Sequence, residues 1–252
     1  PPFILIQLMN CVLFPKGSAM RLDSGSPKIE HIKNVLKIGD GGEIFAGNIG
    51  GKIYICRINF ANDGSAIFSP LREVDTPPPM KISVAVAFTR PQIAKRILFE
   101  AACAGISRLI FYPASKGEAA YAKSSLYTGK SVLEYMEKGA EQACATDIPE
   151  FSACMSLEEA CRELAIESPD SIKIAPDLYE ATADICELSS QISPESHICA
   201  AMGGERGFSN PDRILLRQMG WTLVSMGRRV LRTDTAFITL CGVLRALITK
   251  RQ

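Results

Sequence analysis

Three consecutive prolines, Pro77-Pro78-Pro79, constrain this chain more than any other feature of it. Proline fixes φ and lacks a backbone donor, so the run stops helix and sheet alike and stiffens a linker. The residues on its two sides differ in texture. Before it, Glu43–Asn48 and Lys52–Asn59 are short strand-like runs around Asn48-Ile49-Gly50-Gly51, which predicts a hairpin. Ala66–Val74 reads as a further strand. Ser26-Pro27 opens a helix with Ile29, Ile32, Val35 and Leu36 on one face, stopping before Gly39-Asp40-Gly41-Gly42. Residues 1–76 therefore read as a small, mainly β domain with one short helix.

Residues 77–252 alternate instead. Strands are expected at Ile82–Phe88, Ser107–Tyr112, near Phe151, and at Ile172–Ala175, Ile198–Met202 and Trp221–Met226. Helices are expected at Pro91–Ala104 (ended by Gly105), Val132–Ala145, Leu157–Ala165 and beyond Asp177. Another runs from the Ser209 N-cap to Gly220, and the last starts at Thr233 or Thr235 and is apolar through Leu247. Such alternation predicts an α/β fold with a mostly parallel sheet, and ligands at the carboxyl ends of its strands.

Composition excludes several classes. An apolar fraction of 47% and a charged fraction of 22% over 252 residues suit two folded domains rather than a disordered chain. Phe3–Phe14 is interrupted by Gln7 and Asn10 and falls short of the roughly 20 residues a bilayer requires, so no membrane span is expected. The nine cysteines are odd in number, contain no C-x-x-C, and mostly sit in apolar or helical runs (Cys56, Cys103, Cys144, Cys161, Cys241). Reduced thiols acting as small hydrophobes in the cytosol fit that pattern. His197 and Cys199 lack the rest of a zinc set, so no metal is expected. The net charge of +1 hides segregation: +7 over residues 1–133, −13 over 134–205 and +7 over 206–252. A basic surface built from the two chain ends would suit a polyanion such as RNA, whereas the acidic middle could equally be a solvated helix face.

Chemistry concentrates between Met202 and Ala236. Gly203-Gly204-Glu205-Arg206-Gly207 follows a strand directly, and glycines there let backbone approach a ligand. A glycine-rich loop before a helix can bind an anion or simply turn. It is neither G-x-G-x-x-G nor a Walker loop, so ATP or NAD is poorly supported. The next strand ends in Gly227, and Arg228, Arg229 and Arg232 bring three cations with Asp234 to what should be the same sheet edge, the two loops side by side.

These residues carry a resemblance. Gly203-Gly204-Glu205-Arg206-Gly207-Phe208-Ser209 resembles G-P-E-G-G-F-S, and Met226-Gly227-Arg228-Arg229-Val230-Leu231-Arg232-Thr233-Asp234-Thr235-Ala236 resembles L-G-x-R-I-L-R-T-E-T-A. Both strings belong to the RsmE-type ribosomal RNA uridine-N3 methyltransferases, in the SPOUT class. His31-Ile32-Lys33-Asn34-Val35-Leu36-Lys37 looks like the family's H-x-x-x-V-L-R, and Ala140-Glu141-Gln142 with Ile148-Pro149 like its A-x-E-Q … I-P segment. The chain departs from the pattern at Gly204, Arg206 and Asp234, which stand for proline, glycine and glutamate, and at Glu100–Gly105, where K-A-T-E-L-G is usual. An arginine expected after Glu141-Gln142 is replaced at about Ala145.

The resemblance implies a PUA-like β-barrel followed by an α/β domain whose C-terminal segment threads a deep trefoil knot. It also implies a homodimer, S-adenosylmethionine in the knot, and a uridine of small-subunit ribosomal RNA as substrate. Cofactor contacts are expected at Ile174, Ala175, Pro176, Met202, Gly203, Gly204, Glu205, Ser225, Met226, Gly227, Arg228, Leu231, Arg232 and Thr233. Methylating N3 requires loss of the imide proton and stabilisation of the resulting anion. Arg232 is the expected cationic donor, with Glu205 or Asp234 accepting or orienting the proton; an Arg232–Asp234 ion pair capping the last helix is the plainer alternative. RNA contacts are expected at His31, Lys37, Arg90, Arg228 and Arg229. A non-catalytic RNA- or cofactor-binding relative remains the second reading.

Overall fold

The computed structural model describes residues 11–76, 78–127 and 130–249. Pro77 of the proline run and the first part of Phe3–Phe14 lie outside them. In the N-terminal part, β1 (Cys11–Phe14), β2 (Arg21–Leu22), α1 (Pro27–Asn34), β3 (Glu43–Asn48), β4 (Ile53–Phe60) and β5 (Ala66–Val74) follow in order. The strands form one sheet ordered β1-β3-β4-β5-β2. β3 and β4 make the expected hairpin, with Gly47 opposite Ile53 and Gly50 in the turn at φ 68°. Opposite Ile55 and Cys56, β5 carries one extra residue, Leu71, and bends against β4, and such bulges add the curvature that a near-closed barrel needs. Phe14, Ile32, Ile44, Ile58 and Phe68 fill its interior. Val35 does not join them: α1 ends at Asn34, and Val35, one residue past it, is 63% exposed. The helix therefore ends two positions before Leu36, which still packs against the barrel core.

The second sheet has seven strands in the order β10-β12-β9-β11-β6-β7-β8. Their ranges are β6 (Met80–Ala87), β7 (Ile106–Tyr112), β8 (Glu150–Ala153), β9 (Ile172–Pro176), β10 (Ala183–Asp184), β11 (Ile198–Met202) and β12 (Thr222–Ser225). Every pairing between them is parallel. The helices are α2 (Pro91–Ala104), the four-residue α3 (Ala119–Ala122), α4 (Lys130–Ala143), α5 (Leu157–Glu167), α6 (Asn210–Gln218) and α7 (Thr233–Thr249). Side chains alternate across a strand, so Val84 and Val86 pack with Ile97, Met136 and Leu240 from α2, α4 and α7. Ala85 and Ala87 face the other way, with Cys161 and Leu216 from α5 and α6. Burial on both faces is why these strands read as continuous apolar runs.

The helix expected beyond Asp177 does not form. Asp177 Oδ1 accepts from the backbone N–H groups of Tyr179 (2.8 Å) and Glu180 (2.7 Å), as an N-cap would, but the Thr182 amide donates to the Leu223 carbonyl at 2.9 Å and draws the chain into the sheet beside β12. The segment continues into β10 and a short 3₁₀ stretch at Ile185–Ser190 instead. Barrel and α/β part meet at α4. Lys28 Nζ lies 2.7 Å from both Glu137 and Glu141, and Glu141 Oε1 also accepts from the Leu13 amide at 2.9 Å.

Candidate functional site

β9, β11 and β12 end at one rim, and a cavity of about 210 Å³ opens there. The loops after β11 and β12 share this edge, as expected, although β9 lies between their strands and supplies a wall of its own. Residues 202–208 form the first wall, 176–179 the second, and Met226, Gly227, Arg229, Val230, Leu231 and Thr233 the third.

Each wall is fixed from outside the cavity. In the first, the Gly207 amide donates to the Gly204 carbonyl (2.9 Å), and Gly207 has φ 64°. A Cβ on Gly203 would fall 2.8 Å from the Gly207 carbonyl carbon, so the loop folds on itself only with glycine there. Ser209 and Asp212 cap α6 reciprocally, and the buried Tyr112 hydroxyl donates to the Met202 carbonyl at 2.7 Å. The second wall is pinned by Asp177, whose Oδ2 accepts from Arg213 Nε at 2.9 Å with both side chains nearly fully buried. In the third, Gly227 has φ 104°, and a Cβ there would meet no protein atom within 4 Å. A side chain there would have room but would be strained by the positive φ.

Charge is arranged around the mouth. Asp234, in the first turn of α7, is 2% exposed. Its Oδ2 accepts from Arg96 Nη1 at 2.9 Å, while its Oδ1 lies 3.5 Å from Arg232 Nε and makes no hydrogen bond. An acid suits a helix N-terminus. Arg232 itself is 68% exposed. Glu205 Oε2 lies 3.4 Å from Arg90 Nε, which also donates to the Tyr121 hydroxyl at 3.1 Å. Those two partners, Tyr121 first, raise the Arg90 guanidinium above its ordinary pKa.

The structure places the expected residues unevenly. Pro176, Met202, Gly203, Gly204, Glu205, Met226, Gly227, Leu231 and Thr233 line the cavity, and Arg229 joins them. Ile174 and Ala175 are buried inside β9; Ser225, Arg228 and Arg232 are not among the lining residues. Asp234 faces Arg96 and not the cavity. His31 lines a separate cavity at the barrel seam with Lys28, Glu137 and Glu141, and Lys37 follows α1 at φ 57°. Asp177, Tyr179, Phe208, Val230 and Ala236 also line the site and were not anticipated. Asp177 was legible only as the point beyond which a helix was expected, and nothing local links it to Arg213, 36 residues away. His197, considered for a metal, hydrogen-bonds Ser83 (2.9 Å) and Ser168 (2.7 Å) through its two ring nitrogens. Cys154, Glu159 and Glu163 bring ligand-type atoms together elsewhere, but Arg108 already neutralises Glu163 at 2.7 Å.

The lining combines apolar Met202, Phe208, Met226, Val230 and Leu231 with two carboxylates, Asp177 and Glu205, the cations Arg206 and Arg229, and glycine-bounded backbone. Such a set fits a ligand with a flat apolar portion, hydrogen-bonding edges and a cationic centre.

Comparison with known proteins points the same way. Residues 76–245 match the family described as RNA methyltransferase domain, and residues 25–71 that described as RNA methyltransferase PUA domain. The ribosomal RNA small subunit methyltransferase E of Treponema pallidum is 31% identical over 246 residues, 94% of this chain and 91% of that protein. The ribosomal RNA small subunit methyltransferase E 1 of Borreliella burgdorferi is 26% identical over 214 residues, 84% of this chain and 86% of that protein. A crystal structure of the Neisseria gonorrhoeae ribosomal RNA small subunit methyltransferase E, bound to S-adenosyl methionine, has a similar fold. Its TM-score is 0.77 at 18% identity, covering 95% of this chain and 98% of that one.

Proposed function

The chain belongs to the S-adenosylmethionine-dependent RNA methyltransferase family of the ribosomal small-subunit methyltransferase E type, and from that membership we propose that it methylates N3 of a uridine in small-subunit ribosomal RNA. The observation that carries the proposal is the cavity at the ends of β9, β11 and β12, cradled by Gly203, Gly207 and Gly227. S-adenosylmethionine, when bound, supplies a methyl group on a cationic sulfur. The residues that would hold it are Pro176, Met202–Glu205, Met226, Gly227, Leu231 and Thr233, largely through backbone.

Glu205 is the acceptor we favour for the imide proton, since its carboxylate borders the cavity while Asp234 is buried against Arg96. Asp234 instead holds Arg232 at the mouth, where Arg228, Arg229 and Arg232 suit an anionic RNA backbone. The barrel over residues 1–76 would add His31 and Lys37 to that contact, and the α/β domain would span 77–252. A threaded trefoil segment, a cytoplasmic location and a homodimer belong to the same proposal; exposed Ile214, Val230 and Ile238 offer apolar surface for a second copy. No helix among the described residues is long and apolar enough to cross a membrane.

Two measurements test the reading. Calorimetry should give saturable S-adenosylmethionine binding that weakens in Gly227→Val, and purified small subunits lacking the modification should gain one methyl group per particle at a uridine N3. Absence of binding at millimolar cofactor would refute it.

A further inference from the structure

A second, smaller cavity of about 80 Å³ lies across the Gly204–Gly207 loop, lined by Phe88, Arg90, Ala114, Lys116, Tyr121 and Glu205 among others. It sits past the carboxyl ends of β6 and β7, on the same rim as the cofactor cavity and one strand further along. Gly204, Glu205, Arg206 and Gly207 border both cavities, so this loop is their common wall. It is smaller than the first, about 80 Å³ against about 210 Å³, which suits the polar edge of a single-ring base.

Its polar groups form a pattern. Glu205 supplies a carboxylate that only accepts. Arg90, just ahead of Pro91 at the start of α2, uses Nε on Tyr121 and Glu205, and its two terminal amines make no hydrogen bond among the described residues. An acceptor therefore stands beside a cationic donor. The imide edge of uracil presents the complement: a donor at N3 beside a carbonyl oxygen. Cytosine presents an acceptor at N3, which would face the Glu205 carboxylate with no proton between them, and an unpaired polar edge of that kind is strongly rejected. Arg206, on the shared wall, makes no ion pair or hydrogen bond among the described residues and is free for a neighbouring phosphate. Arg232, expected as the donor, lines neither cavity.

We propose that this second cavity is the target-base subsite, in which Glu205 and Arg90 read the uracil imide edge, Arg90 stabilises the N3 anion, and Arg206 holds an adjacent phosphate. The inference rests on the methyltransferase reading above and deepens it. The transfer balances without a co-reactant. The N3 proton passes to the Glu205 carboxylate, the N3 electron pair forms the new N–CH₃ bond, and the C–S electron pair returns to sulfur to leave a neutral thioether.

The test compares wild type with Arg90→Ala, Arg90→Lys and Glu205→Gln, using calorimetric S-adenosylmethionine binding and methyl incorporation into transcribed small-subunit RNA and whole subunits. Arg90→Ala should lower kcat about 100-fold, the loss expected for one anion-stabilising donor, with cofactor Kd within about twofold of wild type and partial recovery in Arg90→Lys. Its deficit should shrink on RNA transcribed with 5-fluorouridine, whose imide ionises more readily. Arg206→Gly should raise KM for RNA and weaken the salt dependence of binding. An active wild type whose rate is undiminished by Arg90→Ala would overturn the inference alone. So would a cofactor affinity of Arg90→Ala falling in step with its kcat, because Arg90 would then serve the first cavity. A wild type that binds no cofactor and transfers no methyl group would instead remove the reading beneath it.

Discussion

Replacing Arg213 with methionine isolates the device that holds the second wall of the cofactor cavity. The Arg213 and Asp177 side chains are 5% and 2% exposed, and Nε meets Oδ2 at 2.9 Å. Methionine fills much of the volume but leaves the Asp177 carboxylate buried without a counter-charge. Stranding one partner of a buried pair costs about 3–5 kcal/mol. Asp177 keeps the amides of Tyr179 and Glu180, which places the expected loss near the low end, about 3 kcal/mol. With a urea m-value of about 3 kcal/mol/M, the unfolding midpoint should fall by about 1 M. Asp177→Asn keeps an oxygen for those two amides and removes the charge, so the double variant Asp177→Asn/Arg213→Met should be more stable than the sum of the two losses, by about 2 kcal/mol. Because residues 176–179 line the cavity, calorimetry should also show weaker S-adenosylmethionine binding by Arg213→Met. A midpoint shift below about 0.3 M (under about 1 kcal/mol at that m-value), or strict additivity in the double variant, would refute the reasoning.

Other consequences are open to simple measurement. Gly139→Ala places a Cβ 2.1 Å from the Phe99 carbonyl oxygen where α4 crosses α2; helix propensity gains up to about 1 kcal/mol, but forced separation of the helices outweighs it, and a net loss of about 1–3 kcal/mol is expected in urea unfolding. His197 has a depressed pKa, from burial first and Lys81 second. The unfolded chain therefore binds the proton more tightly, and stability should decline as pH falls from 6.5 towards the lower folded value. A fluorescence-monitored pH series should show that decline in wild type and lose it in His197→Gln. Burial pushes the Cys154, Cys161 and Cys241 thiols up to about 12, whereas Cys186 is exposed. Alkylation of native protein at pH 8 followed by peptide mapping should therefore label Cys186 first and leave those three until the chain unfolds.

What the amino-acid order determined is whatever rests on neighbours along the chain. The Ser209–Asp212 cap, the left-handed stop at Gly105 and the Asn48–Gly51 turn are local chemistry, and each appears where residue type and spacing placed it. The apolar runs of β6, β7 and β11 likewise announced strands covered on both faces. The long string around Arg228–Ala236 carried the family, although most of its arginines proved to stand outside the cavity. Local signals failed where a side chain took a distant partner. Asp177 reads as a helix start, but a few residues on, β10 pairs with β12, so the chain joins the sheet instead, and the carboxylate also takes a distant partner in Arg213 on α6. Asp234 reads as an acid offered to substrate, but folding α7 against α2 buries it on Arg96. Arg90 and Glu205 are 115 residues apart, as their numbers show. Only the β6–β11 pairing brings their loops to one rim. Hydrogen bonds within a turn are encoded by spacing, whereas which charges meet across a sheet is decided by strand order, and no local pattern records that.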